Sequence, residues 1–456
     1  MTGSGFPSRR PGFRIGTPRI GTTLGIGVGT LASLAPGLLP RTPGAQAVLT
    51  GLIAALTLGV AGALRILLRR WGFDVDRRHA WLRLPLLIAT SVLMLGAAAN
   101  AGHWQNRLRA AMGTPPIGAD YWVRCALGAA LIIGLLAAAT RSIAWGWRKL
   151  GWARGVSLAA VAAVLLYLVG VPALAGWQES AYARANAELD PTVVRPVSHA
   201  GSGTAESAVS WTSLGAEGRK FVGDASVRAV RVYVGVASAP DLDSRVALAI
   251  RELERSGGFA RSHLVVTVPT GSGWIDANAV AGFDRRFDGD VALVGLQYSY
   301  LPSWATFVFG RDAAVTAART LFAAVERHIQ SLERKPKLYL YGQSLGAIGG
   351  NAVFADDAEQ AARTCAVLWA GPPANRVHRG GATVLANSSD PVIHWSLSLL
   401  WRAPDLTGAR VDAPVPQWLP VISFAQTTAD LLAALHAPPG HGHRYGRDQG
   451  TLMGSC

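Results

Sequence analysis

The stretch Leu338 to Gly350 reads LYLYGQSLGAIGG. An apolar, aromatic run ends there in G-x-S-x-G, and small residues compatible with a helix follow. A serine in that pattern acts as a nucleophile when the pattern lies on a strand–turn–helix that holds the hydroxyl clear of the backbone. Gly342 and Gly346 suit such a turn, because a side chain at either would collide with the neighbouring strand or helix. A free hydroxyl is a poor nucleophile near neutral pH. It needs a hydrogen-bonded imidazole, itself oriented by a carboxylate. The rest of the chain has to supply that base, that acid and donors for an oxyanion.

Around this stretch the carboxyl-terminal half alternates between two periods. Val227–Val236, Leu264–Val268, Asp290–Gln297, Lys337–Tyr341, Cys365–Ala370 and Ala382–Asn387 read as strands. Asp243–Ser256, Asp276–Phe287 and Asp312–Leu332 read as helices. Strands separated by helices imply βαβ units, a mostly parallel sheet and helices on both of its faces. The turn at Ser344 then lies at the carboxyl end of a strand, the rim where such sheets carry their sites.

An acid follows on the same rim. Ala382–Asn387 is a strand and Ser388-Ser389-Asp390-Pro391 comes directly after it, so Asp390 is the candidate carboxylate; shaping the turn before Pro391 is its plainer role. The candidate bases are His441 and His443, in the Gly-Pro loop Pro438 to Tyr445. They alternate, so one of them faces Ser344, and the reading favours His441. His394 and His436 are weaker candidates. A metal pair finds no Cys or acidic partners close by in the sequence, so no metal and no cofactor are expected. An oxyanion hole needs two N–H groups. Leu345, after the nucleophile, offers one, and the loop Thr270-Gly271-Ser272-Gly273-Trp274 the second, with Thr270 and Gly271 as donors. Tyr298, in the aromatic stretch Gln297 to Trp304, is read as part of a substrate wall or of a lip facing the membrane, with core packing as the alternative.

Composition separates this half from the first. Half of the 456 residues are hydrophobic and the net charge is +15. Residues 1–177 hold 18 Lys and Arg against 3 Asp and Glu, whereas 178–456 hold 25 against 25. The excess charge therefore sits wholly in the apolar half. That is the pattern of basic loops between membrane helices, and it argues against a nucleic-acid partner. Five apolar segments of bilayer length are expected, near Ile20–Leu39, Ala47–Leu68, Leu84–His103, Tyr121–Thr140 and Val156–Gly176. Arg9, Arg10, Arg14 and Arg19 precede the first. Arg69, Arg70, Arg77 and Arg78 follow the second, and Arg141, Arg148, Lys149 and Arg154 follow the fourth. Basic connections stay inside, so the amino terminus is expected in the cytoplasm and everything after Trp177 outside. Gly21, Gly25 and Gly29, four residues apart, favour close helix packing within the bundle. Cys125, Cys365 and Cys456 spell no disulfide framework. The organisation read from these features is a membrane domain over 1–177, a linker over 178–207 and an α/β domain over 208–456.

The chain resembles a family of bacterial membrane proteins with a multi-span amino-terminal region and a carboxyl-terminal α/β-hydrolase domain. The resemblance is carried by Gly37-Leu38-Leu39-Pro40-Arg41, Val209 to Gly215, Arg231 to Gly235, Pro269 to Trp274, Gln297 to Trp304, Gly342 to Gly346, Gly371-Pro372-Pro373, Ser389-Asp390-Pro391 and Gly440 to Tyr445. It implies a serine-hydrolase-like domain with Ser344, Asp390 and the His441/His443 pair on the triad positions. It also shows a departure: the segment from Gly371-Pro372-Pro373 to the Ala382 strand is short, so part of a binding wall is missing.

The function expected is a membrane-anchored serine hydrolase on the outer face of the cell membrane, acting on lipid or envelope acyl esters, with membrane lipids as its partners. An acyltransferase with the same triad and a non-catalytic envelope interaction protein are the alternatives. A transporter is disfavoured, because no acidic residue lies within a span.

Overall fold

The computed structural model describes residues 17–196, 201–223, 227–446 and 449–456; Arg9, Arg10 and Arg14 lie outside them. The chain divides into two compact units. One holds the chain up to Pro36 with Arg41–Asn106 and Pro116–Gly146. The other holds Gly37–Pro40, Arg107–Pro115 and Trp147–Cys456. The second unit therefore begins well before the expected boundary at 177 and includes two short connections from the apolar half.

Among the described residues four helices are long and apolar enough to cross a membrane: Pro43–Arg70, Ala80–Ala111, Ala119–Leu150 and Trp152–Ala187. The first expected span is the shorter helix Ile20–Ser33. At 1.5 Å per residue its 14 residues reach only about 21 Å, less than the hydrocarbon core. The glycine spacing works within the chain. A Cβ at Gly29 would lie 2.6 Å from Ala54 Cα, and one at Gly25 would lie 3.2 Å from Thr57 O. The Thr57 hydroxyl donates to Gly25 O across the same contact at 2.6 Å.

Among the described residues of the second unit six strands form one sheet. They are β1 (Val230–Val234), β2 (His263–Val268), β3 (Val291–Leu296), β4 (Lys337–Gln343), β5 (Ala366–Ala370) and β6 (Ala382–Leu385). The order is β1-β3-β2-β4-β5-β6 and every pair is parallel. β1, β3 and β5 are buried along their whole length, so β3 (VALVGL) and β5 (AVLWA) read as continuous apolar runs, whereas β1 (VRVYV) carries Arg231, whose guanidinium donates to Phe221 O. Helices Leu242–Arg255, Ala277–Arg286 and Arg311–Gln330 follow their strands as expected.

Two expectations are corrected here. The stretch 178–207 is not a free linker. The helix Val171–Ala187 runs through its first third, and Gly201 bridges to Arg231 beside β1. Asn186 closes the junction, because its side-chain oxygen accepts from Gln297 Nε2 at 3.0 Å and its carbonyl from Arg219 at 3.2 Å. The cysteines also pair: Cys365, just before β5, is bonded to Cys456. Ahead of that bond the tail supports β4. Gln449 Nε2 donates to the Tyr341 hydroxyl at 2.6 Å and to Gln343 Oε1 at 3.0 Å.

Candidate active site

β4 ends in a sharp turn. Ser344 has φ 56° and ψ −122°, a region that non-glycine residues avoid, and the helix Leu345–Asn351 starts directly after it. Holding such a residue costs about 1–3 kcal/mol, supplied by the surrounding packing. The Ser344 N–H donates to Ala370 O at 2.9 Å. The two flanking glycines are required by close approach. A Cβ at Gly342 would lie 2.4 Å from Gly346 O, and one at Gly346 would lie 2.1 Å from Val268 O. Ser344→Gly is expected to stabilise the unit by about 1 kcal/mol, since glycine adopts this backbone without strain. Urea unfolding checks it, with Ser344→Ala, which keeps the strain, as the control.

The strand β6 leads into Asn387-Ser388-Ser389-Asp390, and the Asp390 carboxylate is fully buried. Its Oδ1 accepts from Val392 N at 2.8 Å. Its Oδ2 accepts from His443 Nδ1 at 2.7 Å and from the Tyr445 hydroxyl at 2.6 Å. Burial, and then the Asp390 carboxylate itself, push the Tyr445 phenol well above its usual range, so it stays a donor. With Nδ1 facing a carboxylate, the proton sits on Nδ1 and leaves Nε2 with its lone pair. Nε2 is buried and has no hydrogen-bond partner among the described residues. The ring lies against Gly371, where a Cβ would fall 2.6 Å from its Cε1. Gly371 follows Ala370, the residue whose carbonyl holds the Ser344 N–H. The imidazole and the serine turn thus flank one dipeptide at the end of β5.

The preference for His441 is not supported by this geometry. Side chains alternate along the loop, so while His443 turns to Asp390, His441 turns to Asp412 at 3.1 Å. Asp412 is a nearly buried carboxylate that the sequence reading missed. It accepts from Ser389 N at 2.9 Å, from Ser388 Oγ at 3.1 Å and from Ser389 Oγ. Ser389 Oγ in turn accepts from Gly442 N at 2.8 Å. Asp412 therefore ties the turn carrying the acid to the loop carrying the imidazole. It sits in an irregular segment, Arg410 to Pro414, where neither periodicity nor spacing could mark it.

His394 is also structural, since its Nε2 bonds Ser388 O at 2.9 Å. Burial holds its pKa below the usual 6.5 despite the Ser388 carbonyl and nearby carboxylates. As pH falls below 6.5, the unfolded chain binds a proton that the folded chain refuses, so stability is lost toward acid. His394→Gln is expected to show a smaller drop in melting temperature between pH 7.5 and pH 5.5 than the unmodified chain. His436 is exposed.

The expected oxyanion loop is corrected as well. The Thr270 N–H donates to Trp274 O at 3.0 Å and the Gly271 N–H to Ser303 Oγ at 3.3 Å, so the loop closes on itself and on the helix Ser303–Phe309. Neither amide is offered to a substrate. Leu345 begins its helix, and its N–H therefore has no intrahelical partner. Tyr298 is not a free wall residue: its hydroxyl donates to Pro269 O at 2.9 Å and braces the same loop. Among the described residues no group of three or more His, Cys, Asp or Glu could hold a metal ion.

Comparison with known proteins agrees with this fold. A family model described as an alpha/beta-hydrolase family matches residues 230–382 and 378–453, and the model of that family's N-terminus matches 34–225. The first match breaks in two at 378–382, the short connection leading into β6. No curated protein and no solved structure matches the chain.

Proposed function

The chain belongs to the alpha/beta-hydrolase family, and from that premise we propose that it is a membrane-anchored serine hydrolase acting on lipid or envelope acyl esters. The observation that carries the reading is the buried Asp390–His443 pair, with its open Nε2, beside the strained Ser344 turn. Ser344 Oγ attacks the acyl carbon as its proton passes to His443 Nε2. Asp390 steadies the imidazolium, and the Leu345 N–H donates to the carbonyl oxygen as it becomes an oxyanion. The imidazolium then protonates the departing alkoxide, which leaves the acyl group on Ser344. Water, deprotonated by the same imidazole, attacks that ester, and as the acyl–Oγ bond breaks the imidazolium returns the proton to Ser344 Oγ, releasing the acid. An alcohol acceptor in place of water would make the protein an acyltransferase with the same residues.

The lipid preference rests on the surroundings. Trp304, Val308 and Phe309 on the helix Ser303–Phe309 are exposed, as are Leu397, Trp401 and Val421. These segments are joined: Phe307 stacks edge-on to Trp395 at 5.9 Å, Trp395 touches Phe424 at 5.8 Å, and Val421 N donates to Leu400 O. One edge of this apolar collar meets the Gly271 loop and the other begins at Pro391, beside Asp390. The outer-face location is supported by the connections Gly37–Pro40 and Arg107–Pro115, which share a unit with the sheet. They are the two with the fewest basic residues, as the positive-inside rule requires. The Cys365–Cys456 bond fits an oxidising compartment.

A fluorophosphonate probe applied to detergent-extracted protein tests the reading. Labelling that Ser344→Ala abolishes is expected. A folded chain that stays unlabelled would instead favour a non-catalytic interaction role, which the short 371–381 connection also fits. Lipid profiles of cells carrying Ser344→Ala would then name the acyl class.

A further inference from the structure

The loop that carries His443 is held from a distant part of the chain. Leu38 and Leu39, from the short connection between the helices Ile20–Ser33 and Pro43–Arg70, are 2% and 1% exposed. They belong to the same compact unit as the sheet. The Leu38 N–H donates to Asp430 Oδ2 at 2.7 Å, across 392 residues of sequence. Asp430 is itself buried and lies in the helix Ile422–Leu431. Just beyond that helix the Ala434 carbonyl accepts the His443 N–H at 3.2 Å. Leu39 acts more directly. A Cβ at Gly442 would lie 3.2 Å from Leu39 Cδ2 and 2.8 Å from Ala437 Cβ, so Leu39 closes over the backbone between the two histidines. Gly442 is a tight position, with φ 54°, its N–H spent on Ser389 and its carbonyl on Asn387 Nδ2 at 2.9 Å.

We propose that Leu38 and Leu39 are positioning residues of the active site, bracing the His443 loop through Asp430 and through Gly442. This rests on the serine-hydrolase reading for its catalytic consequence, though not for its geometry. On this account residues 208–456 do not make a complete site. The imidazole keeps its place because a membrane-flanking tetrapeptide, Gly37–Pro40, packs beneath it. A loop that drifts by about 1 Å loses rate far more than it loses binding.

Leu39→Ala and Leu39→Met in the full-length, detergent-extracted chain test the proposal. Leu39→Ala is expected to speed amide hydrogen exchange in 437–446 while leaving the β2, β4 and β5 amides unchanged. On a soluble chromogenic ester its kcat should fall about tenfold or more with KM held, and Leu39→Met should restore both readouts. Asp430→Ala should mimic Leu39→Ala. Unchanged exchange in 437–446 overturns the proposal. So does exchange that rises equally in the sheet, since that would mark a general loss of stability. Failure of the serine-hydrolase reading shows separately, as unmodified protein that neither labels nor turns over ester, whereas exchange reads the brace irrespective of turnover.

Discussion

Asp390→Asn is expected to lower kcat about ten-thousand-fold while the chain stays folded. The amide oxygen, in the place of Oδ1, still accepts the Val392 N–H, and the amide nitrogen, in the place of Oδ2, donates to the Tyr445 hydroxyl oxygen instead of accepting from it, so the buried turn keeps its hydrogen bonds. What changes is the imidazole. A side-chain NH2 facing Nδ1 draws the lone pair to that nitrogen and leaves the proton on Nε2, where it cannot accept from Ser344. The developing imidazolium also loses its counter-charge. Asp412→Asn provides the contrast. It weakens the ties to Ser388, Ser389 and His441 but leaves the Asp390–His443 pair intact, so a loss of roughly tenfold is expected, the size of one hydrogen bond. Pre-steady-state hydrolysis of a chromogenic ester by both variants reads the difference. Equal losses would show that Asp390 has no role beyond shaping its turn.

The second large effect separates the two histidines. His443→Ala is expected to cost between about a hundredfold and ten-thousand-fold in kcat, the range for loss of a positioned general base. It should also abolish fluorophosphonate labelling. His441→Ala should label at nearly the rate of the unmodified chain, because Asp412 keeps its three contacts to Ser388 and Ser389 without the imidazole. The result that would reverse this assignment is labelling that survives loss of His443 and disappears with His441. The two residues lie in one loop, so a common fault in folding cannot explain opposite outcomes.

How much of this was legible in the residues follows from where each group sits. The six strands were readable because a parallel sheet covered on both faces demands continuous apolar runs, and LVVTV or LYLYG can hardly be anything else. The serine turn and Asp390 followed from strand ends, which put both on one rim. The imidazole was legible only as a pair, because two alternating histidines in a Gly-Pro loop carry no sign of which points inward. Asp412 and Tyr445 escaped because their roles are set by partners far away in sequence, as in the Cys365–Cys456 pairing. The Thr270–Gly273 loop misled for a different reason. Its glycines do allow a sharp turn, but the turn uses its own amides to close. The expected linker failed because Gln178–Ala187 has a helical backbone with an unpatterned polar surface, which composition alone reads as coil.

The strand order has a bearing on how the molecule comes to be made. Every described strand pairs in parallel and none with a neighbour through a tight hairpin, so every contact except β5 with β6 must await a long loop closure, and β1 cannot pair until β3 has been synthesised. Such topologies fold slowly. The strand that carries Ser344 lies between β2 and β5, and His443 arrives later still. Partly assembled chains, with strand edges open beside a lipid surface, should therefore accumulate during biogenesis, and their yield should depend on chaperones far more than the final stability of the sheet would suggest.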